Sequence, residues 1–269
     1  MTRMHRKSNK KIPVLLYHAL FDGKSNREKY AMPVSAFERQ IAYLAEEGVQ
    51  SLSFTHLSNE RIDDLSSKHA IITFDDGNYS DYEHAYPILK KYDFTATFFV
   101  TVNRLGKNNY LDWSHLKEMI NGGMSVQSHS LNHIFLSDLG EDVLHRELLE
   151  SKNLLEKKLS ISVDFLSLPG GFYSQRVLCA AKDVGYKGIA TSSPGLNITG
   201  HNKGELPLFK RFLISRDTPL QDIRNIINTN YRYLVKNQLL YQAKSMMKKV
   251  LGSRQYYVLW SKYFKYKCY

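Results

Sequence analysis

The chain has 269 residues, 43% hydrophobic and 23% charged, enough for a sizeable buried core in one large α/β domain or two ordinary ones. Two cysteines, Cys179 and Cys268, exclude a disulfide scaffold and a cysteine zinc site. The net charge of +11 is concentrated at the ends. Residues 1–11 hold five bases and no acid, and Ile223 to the end holds ten bases and no acid, while between them 22 bases face 26 acids. That distribution argues against a nucleic-acid-binding core and for basic appendages that meet an anionic surface or polymer.

In chain order, Ile12–Leu20 imitates the apolar core of a signal peptide. It carries Pro13, Tyr17 and His18, however, and runs into Asp22-Gly23-Lys24 with no small-residue cleavage site. A buried strand over Val14–Tyr17 explains it better, and the expected location is cytoplasmic or membrane-peripheral. Val34–Glu47 predicts a helix with Phe37, Ile41 and Leu44 on one face, Ser35 as its cap and Gly48 at its end. Strands are expected at Ala70–Phe74, Ala96–Val102, Ser125–Ser128, Asp164–Leu168 and Gly188–Thr191. Helices are expected near Tyr82–Tyr92, Leu116–Asn121, Glu141–Lys158 and Gln175–Val184. This alternation predicts a parallel α/β sheet, open or closed into a barrel, with its site in the loops after the strands.

Three polar constellations follow predicted strands. Thr73-Phe74-Asp75-Asp76-Gly77 places two carboxylates side by side, an arrangement that invites a cation because neighbouring negative charges repel. Taken alone, it reads more readily as a turn with Asp capping the next helix. His129-Ser130-Leu131-Asn132-His133 spaces two imidazoles one helical turn apart, so that both can reach one metal with Asp76 and leave positions open for water. Taken alone, it is a pair of polar loop histidines. Pro169-Gly170-Gly171 is a turn whose exposed N–H groups can face a developing oxyanion.

Together and in this order, these motifs resemble the polysaccharide deacetylase family, the carbohydrate esterases with a NodB-homology domain. Ala96-Thr97-Phe98-Phe99-Val100, the Trp113…Leu116…Gly123 approach and Gly185-Tyr186 extend the resemblance, which covers about residues 12–217. It implies a distorted (β/α) barrel of seven or eight strands that removes acetyl groups, N-acetyl by preference, from a glycan. It also implies Asp75 as catalytic base, Asp76, His129 and His133 as metal ligands, and the Gly170 N–H as oxyanion donor. The implied cofactor is one divalent ion, zinc by default, although this ligand set also admits cobalt or nickel. Two departures stand out: Ser167 occupies the place of the arginine that orients the base, and Leu213-Ile214-Ser215-Arg216-Asp217 lacks the late general-acid histidine. Val14-Leu15-Leu16-Tyr17-His18 resembles the opening of the circularly permuted branch that deacetylates poly-N-acetylglucosamine, which assigns His18 as the general acid.

The organisation expected is a basic segment 1–11, a catalytic domain 12–222 and a helical tail 223–269. The partner expected is an acetylated glycan, with no nucleic acid. Two other readings stay open: an amidohydrolase on a small acylated metabolite, and a carbohydrate-binding module with a decayed site. Tyr79, Tyr82, Trp113, Phe172 and Tyr173 flank the motifs, as sugar platforms or as core. The apolar stripe Leu239, Leu240, Ala243, Met246, Met247, Val250 and Leu251 either packs on the barrel or, with the tail's lysines and aromatics, seats the chain on an anionic membrane.

Overall fold

The computed structural model describes residues 11–23, 30–58, 67–198 and 206–264, with side chains as far as 247. The basic segment 1–10 and the tail side chains beyond 247 lie outside the described residues. In chain order the elements are β1 (Lys11–Tyr17), the two-residue β2 (Leu20–Phe21) and β3 (Met32–Pro33), α1 (Val34–Glu46), β4 (Val49–Leu52), α2 (Phe54–Ser58) and β5 (Lys68–Phe74). A π-helical turn at Asp81–Ala85 leads into α3 (Tyr86–Lys91), followed by β6 (Thr97–Val100), α4 (Trp113–Asn121), β7 (Ser125–Ser128) and α5 (Glu141–Leu159). Then come β8 (Phe165–Ser167), α6 (Gln175–Asp183), β9 (Gly188–Ala190), β10 (Leu196–Ile198), β11 (Leu208–Phe209), β12 (Phe212–Leu213), α7 (Leu220–Ile227) and α8 (Tyr231–Phe264).

Strands β1, β5, β6, β7, β8 and β9 lie side by side, all parallel. The sheet bends nearly into a barrel, and one short segment joins its two ends. β11 pairs with β9, and two residues later β12 pairs with β1, Leu15 opposite Phe212 and Leu16 opposite Leu213. β10 adds to β1 antiparallel, an edge addition that the strand–helix alternation did not signal.

Strand periodicity of two sorts the side chains. One face of each strand turns outward, with Leu15, Tyr17, Ile72, Phe74, Phe98, Val126 and Leu166 meeting the helices in the larger core. The other turns inward, and its lower layer is Ile12, Val14, Ile71, Phe99, Phe165 and Phe209 around Phe54 of α2. The Phe54 ring meets Phe99, Phe165 and Phe209 edge-on at centroid distances of 5.2–5.3 Å, plugging the barrel. Burying such a ring contributes roughly 1.5–3 kcal/mol. Beyond this floor the same inward rows continue as Thr73 and Asp75, His129 and Ser167. The alternation that builds the core therefore also aims the polar residues into the barrel mouth.

Local differences from expectation have physical causes. α1 starts at Val34 with Pro33 as its cap and no side-chain capping bond, so Ser35 lies inside the helix rather than at its cap. Asp112 caps α4, accepting from the Ser114 and His115 N–H groups at 2.8 and 2.9 Å, which carries that helix back to Trp113. α7 spans the position where the tail was expected to begin, and Ile223, Ile226 and Ile227 join the core. Among the described side chains of α8, Tyr233 and Leu234 pack against that core. Leu239, Leu240, Met246 and Met247 are exposed, so this part of the stripe does not pack on the barrel, one of the two fates its sequence allowed. Among the described residues no helix is long and apolar enough to cross a membrane.

Candidate active site

The loop after β5 turns sharply at Asp76 and Gly77, both at positive φ (80° and 76°). Gly77 is obligatory on two counts: an L side chain is strained at that φ, and a Cβ would lie 3.1 Å from Val100 Cγ1. The turn sends the adjacent carboxylates in different directions. Asp75 continues the inward row of β5, and Asp76 swings toward the loop after β7.

Asp75 is buried and held by Arg211, which is also fully buried. Arg211 Nη1 donates to Asp75 Oδ1 at 2.7 Å and Nη2 to Oδ2 at 2.8 Å, a bidentate fork. Ser167 Oγ donates to Asp75 Oδ2 at 2.8 Å while accepting from Arg211 Nη2 at 2.8 Å. Arg211 Nε donates to the Thr191 carbonyl at 2.9 Å, and the guanidinium lies over the Phe99 ring at 5.4 Å. The orienting arginine missing beside Ser167 is thus supplied from the β11–β12 junction. Burial pushes the Asp75 carboxyl up, but the Arg211 charge and hydrogen bonds, with His129 and His18 nearby, outweigh it. The group lies below the ordinary carboxylate range and is ionised.

Asp76, His129 and His133 offer ligand atoms that all lie within 4.8 Å of one another. Asp76 Oδ1 is 2.9 Å from His133 Nε2 and 3.5 Å from His129 Nε2. The histidine loop is not helical, contrary to the expected spacing argument. Its imidazoles converge because Ser130 and His133 adopt left-handed backbone (φ 66° and 59°). Such residues cost of order 1–3 kcal/mol each and persist where surrounding contacts over-determine them. Here the buried Glu147 of α5 does so, accepting from the Leu131 N–H at 3.2 Å and the Asn132 N–H at 3.0 Å.

The donor chemistry fits a divalent cation. His129 Nδ1 lies 2.9 Å from the Ser167 carbonyl, which can only accept, so Nδ1 carries the proton and the Nε2 lone pair faces Asp76. Burial lowers the His129 pKa to about 4, keeping the ring neutral as a ligand must be. Two lone pairs facing each other across 3.5 Å are an arrangement a cation bridges. Burial pushes Asp76 up, but the His133 hydrogen bond and the three imidazoles hold it far below the ordinary value. Arg104 Nη1 stands 3.3 Å from Asp76 Oδ1, its guanidinium over Tyr110, a cation at the mouth that the motifs did not reveal.

His18 follows β1, next to Asp75, whose N–H donates to the Tyr17 carbonyl at 3.1 Å. Its ring stacks on Tyr30 at 5.1 Å. Burial lowers its pKa, with the Asp76 and Asp75 charges opposing. Gly170 sits at φ 66° in a one-turn 3₁₀ segment closed by the Gly171 N–H to the Leu168 carbonyl, three residues past the Ser167 that bonds Asp75. A Cβ on Gly170 would lie 2.5 Å from Phe135 Cε1. Of the flanking aromatics, Tyr79 and Tyr173 are exposed, Trp113 and Tyr82 pack against the core, and Phe172 meets Phe135 edge-on at 5.3 Å.

A nearly closed parallel barrel here carries a buried ion-paired carboxylate beside an Asp-His-His cluster that could hold a metal ion. The family model for polysaccharide deacetylase matches residues 63–189. The Bacillus subtilis (strain 168) protein YxkH is 34% identical over 187 residues, 69% of this chain and 66% of that one. The poly-beta-1,6-N-acetyl-D-glucosamine N-deacetylase of Staphylococcus aureus (strain MSSA476) is 27% identical over 182 residues, 62% of this chain and 63% of that one. The structure of the Streptococcus pyogenes deacetylase PplD in complex with acetate superposes with a TM-score of 0.73 at 30% identity, over 82% of this chain and 99% of that one. The chain belongs to the polysaccharide deacetylase family. It spans just under two thirds of the length of these two curated relatives.

Proposed function

We propose that this chain hydrolyses the N-acetyl groups of an N-acetylglucosamine-containing glycan, using one divalent ion, zinc by default, held by Asp76, His129 and His133. The observation that carries the reading is the division of labour between adjacent carboxylates. Asp75 is locked by Arg211 and Ser167 and turned away from the cluster, while Asp76 faces two imidazole nitrogens. Relatives named for removing N-acetyl groups from poly-N-acetylglucosamine, and one solved with acetate, support the substrate class and the leaving acid.

Asp76, His129 and His133 would hold the divalent ion, which would supply a lowered pKa for water and a polarised acetyl carbonyl. Asp75, ionised and rotationally fixed, takes the proton of the attacking water. The Gly170 N–H receives the oxygen on which negative charge develops. His18 delivers a proton to the sugar nitrogen as the C–N bond breaks, leaving acetate and a free amine. The motives for a decayed binding module were the absent arginine and late histidine. Arg211 beside Asp75, and His18 beside the same carboxylate, speak against that reading.

The test is acetate release from N-acetylglucosamine oligomers by the zinc-loaded protein, comparing wild type with Asp75→Asn. Metal-dependent release lost in the variant supports the assignment. Turnover of small acyl amides but not oligomers turns it toward the metabolite amidohydrolase. A cytoplasmic or membrane-surface location is proposed from the sequence alone. Partition of the full chain to anionic liposomes, compared with a Lys236→Glu/Lys244→Glu variant, separates the two.

A further inference from the structure

Three polar atoms near the site have no hydrogen-bond partner among the described residues: Nδ1 of His18 and both carboxyl oxygens of Asp81, all buried. An unsatisfied buried polar group is destabilising, and such groups in native proteins are nearly always bonded, directly or through water. The orphans belong to neighbouring segments. The Leu20 N–H, two residues after His18, donates to Ser80 Oγ at 3.0 Å, one residue before Asp81, and β2 packs on the π-helical turn that Asp81 begins. Both groups also border the same carboxylates, since Asp76 and Asp75 are the charges felt most by each. π-Helical turns recur at functional sites, and here the turn holds Asp81 inward instead of in solvent, where a helix-start aspartate usually stands.

We propose that Asp81 is a positioning residue for His18, its carboxyl reaching Nδ1 through one bridging water, so that Nε2 faces the departing sugar nitrogen. The proposal rests on the reading of His18 as proton donor. Burial, with Asp76 and Asp75 adding to it, raises the Asp81 pKa well above the ordinary range. The Asn78 N–H pulls the other way, and burial with the Asp76 charge outweighs it. A neutral carboxyl can donate through the water to the Nδ1 lone pair, which leaves the ring proton on Nε2. When Nε2–H passes its proton to the nitrogen and the C–N bond breaks, a proton moves from the Asp81 O–H through the water to Nδ1. The pair ends as carboxylate and neutral imidazole and regains its proton from solvent as products leave. Asp81 thus matters only where the leaving group needs a proton.

The experiment compares two substrates of the zinc-loaded full chain: an N-acetylglucosamine oligomer, whose amine leaves only if protonated, and p-nitrophenyl acetate, whose phenolate leaves unaided. Asp81→Leu keeps the volume and removes both oxygens. It is expected to lower kcat on the oligomer roughly 10- to 100-fold, within the range of general-acid effects, and to leave the ester rate within about twofold. Asp81→Asn, which can still donate to the bridging water, is expected to recover part of the oligomer rate. Equal losses on both substrates, or no loss on either, overturn the proposal. ¹⁵N-histidine NMR of the zinc-loaded wild type decides independently of any variant's folding or of turnover. A single Nε2–H tautomer at His18 is expected, and an Nδ1–H or mixed ring overturns the proposal. A wild type inactive on both substrates refutes the proposed function, leaving the NMR result to judge Asp81.

Discussion

Replacing Arg211 with methionine removes a buried guanidinium while keeping most of its volume. It deletes hydrogen bonds of 2.7 and 2.8 Å to Asp75 and leaves that carboxylate buried beside Ser167 alone. Removing one partner of a buried pair costs about 3–5 kcal/mol, because the remaining charge is uncompensated. At roughly 2–4 °C per kcal/mol for a domain of this size, Tm is expected to fall by about 10 °C. The sign with pH follows from what holds Asp75 ionised. Burial raises its pKa, and Arg211 is the first of the influences that pull it below 3.8. In wild type the carboxylate therefore contributes stability above that value, lost on acidification. In the variant burial prevails and the folded pKa rises, so the stability deficit is largest at neutral pH and shrinks as pH falls. The acid limb of kcat/KM moves upward, and activity at pH 7 drops at least 100-fold. Arg211→Lys, which keeps charge but not the fork, falls between. Urea unfolding from pH 4 to 8 with a pH–rate profile tests this. A loss under about 1 kcal/mol with an unmoved acid limb refutes the argument.

Further outcomes are expected elsewhere in the site. His129, with a pKa of about 4 against 6.5 when unfolded, contributes stability to the metal-free protein above pH 6.5 that is lost as pH falls to 4. That loss is about 3 kcal/mol, readable by urea unfolding in chelator. Arg104→Gln removes a cation 3.3 Å from Asp76 and is expected to tighten zinc binding by a few-fold, while Asp76→Asn weakens it at least 100-fold; calorimetric titration reads both. Gly170→Ala forces an L residue to φ 66° and a Cβ to 2.5 Å from Phe135 Cε1. A destabilisation of about 1–3 kcal/mol is expected, read by thermal unfolding.

The barrel was legible because its strands are short apolar runs separated by helices with clean apolar faces. The cluster of Asp76, His129 and His133 was legible because its residues lie in the loops that follow two such strands, β5 and β7. What escaped was whatever depends on closure. Arg211 lies between Leu208-Phe209 and Phe212-Leu213, dipeptides too short to register as strands, and nothing local distinguishes it from other surface-type arginines. Glu147 sits mid-helix among acids and bases, and only the packing of α5 turns it under the histidine loop. The spacing of His129 and His133 led to their convergence for the wrong reason, since left-handed backbone, not a helical turn, brings them together. The exposed stripe of α8 shows the limit of periodicity: it marks an apolar face and does not say what covers it.

The segment Leu208–Leu213 has a consequence for how the protein comes into being. Asp75 and its guanidinium are 136 residues apart in sequence, and the barrel closes only when β12 reaches β1. Until that point in synthesis the chain holds Asp76, His129 and His133 but carries Asp75 without its countercharge. Contacts of such long sequence separation form late and slowly. Activity should therefore emerge as the final event of folding, after the sheet has acquired its secondary structure. A nascent chain that stops short of residue 208 would carry every motif by which the family is recognised and still lack a working base.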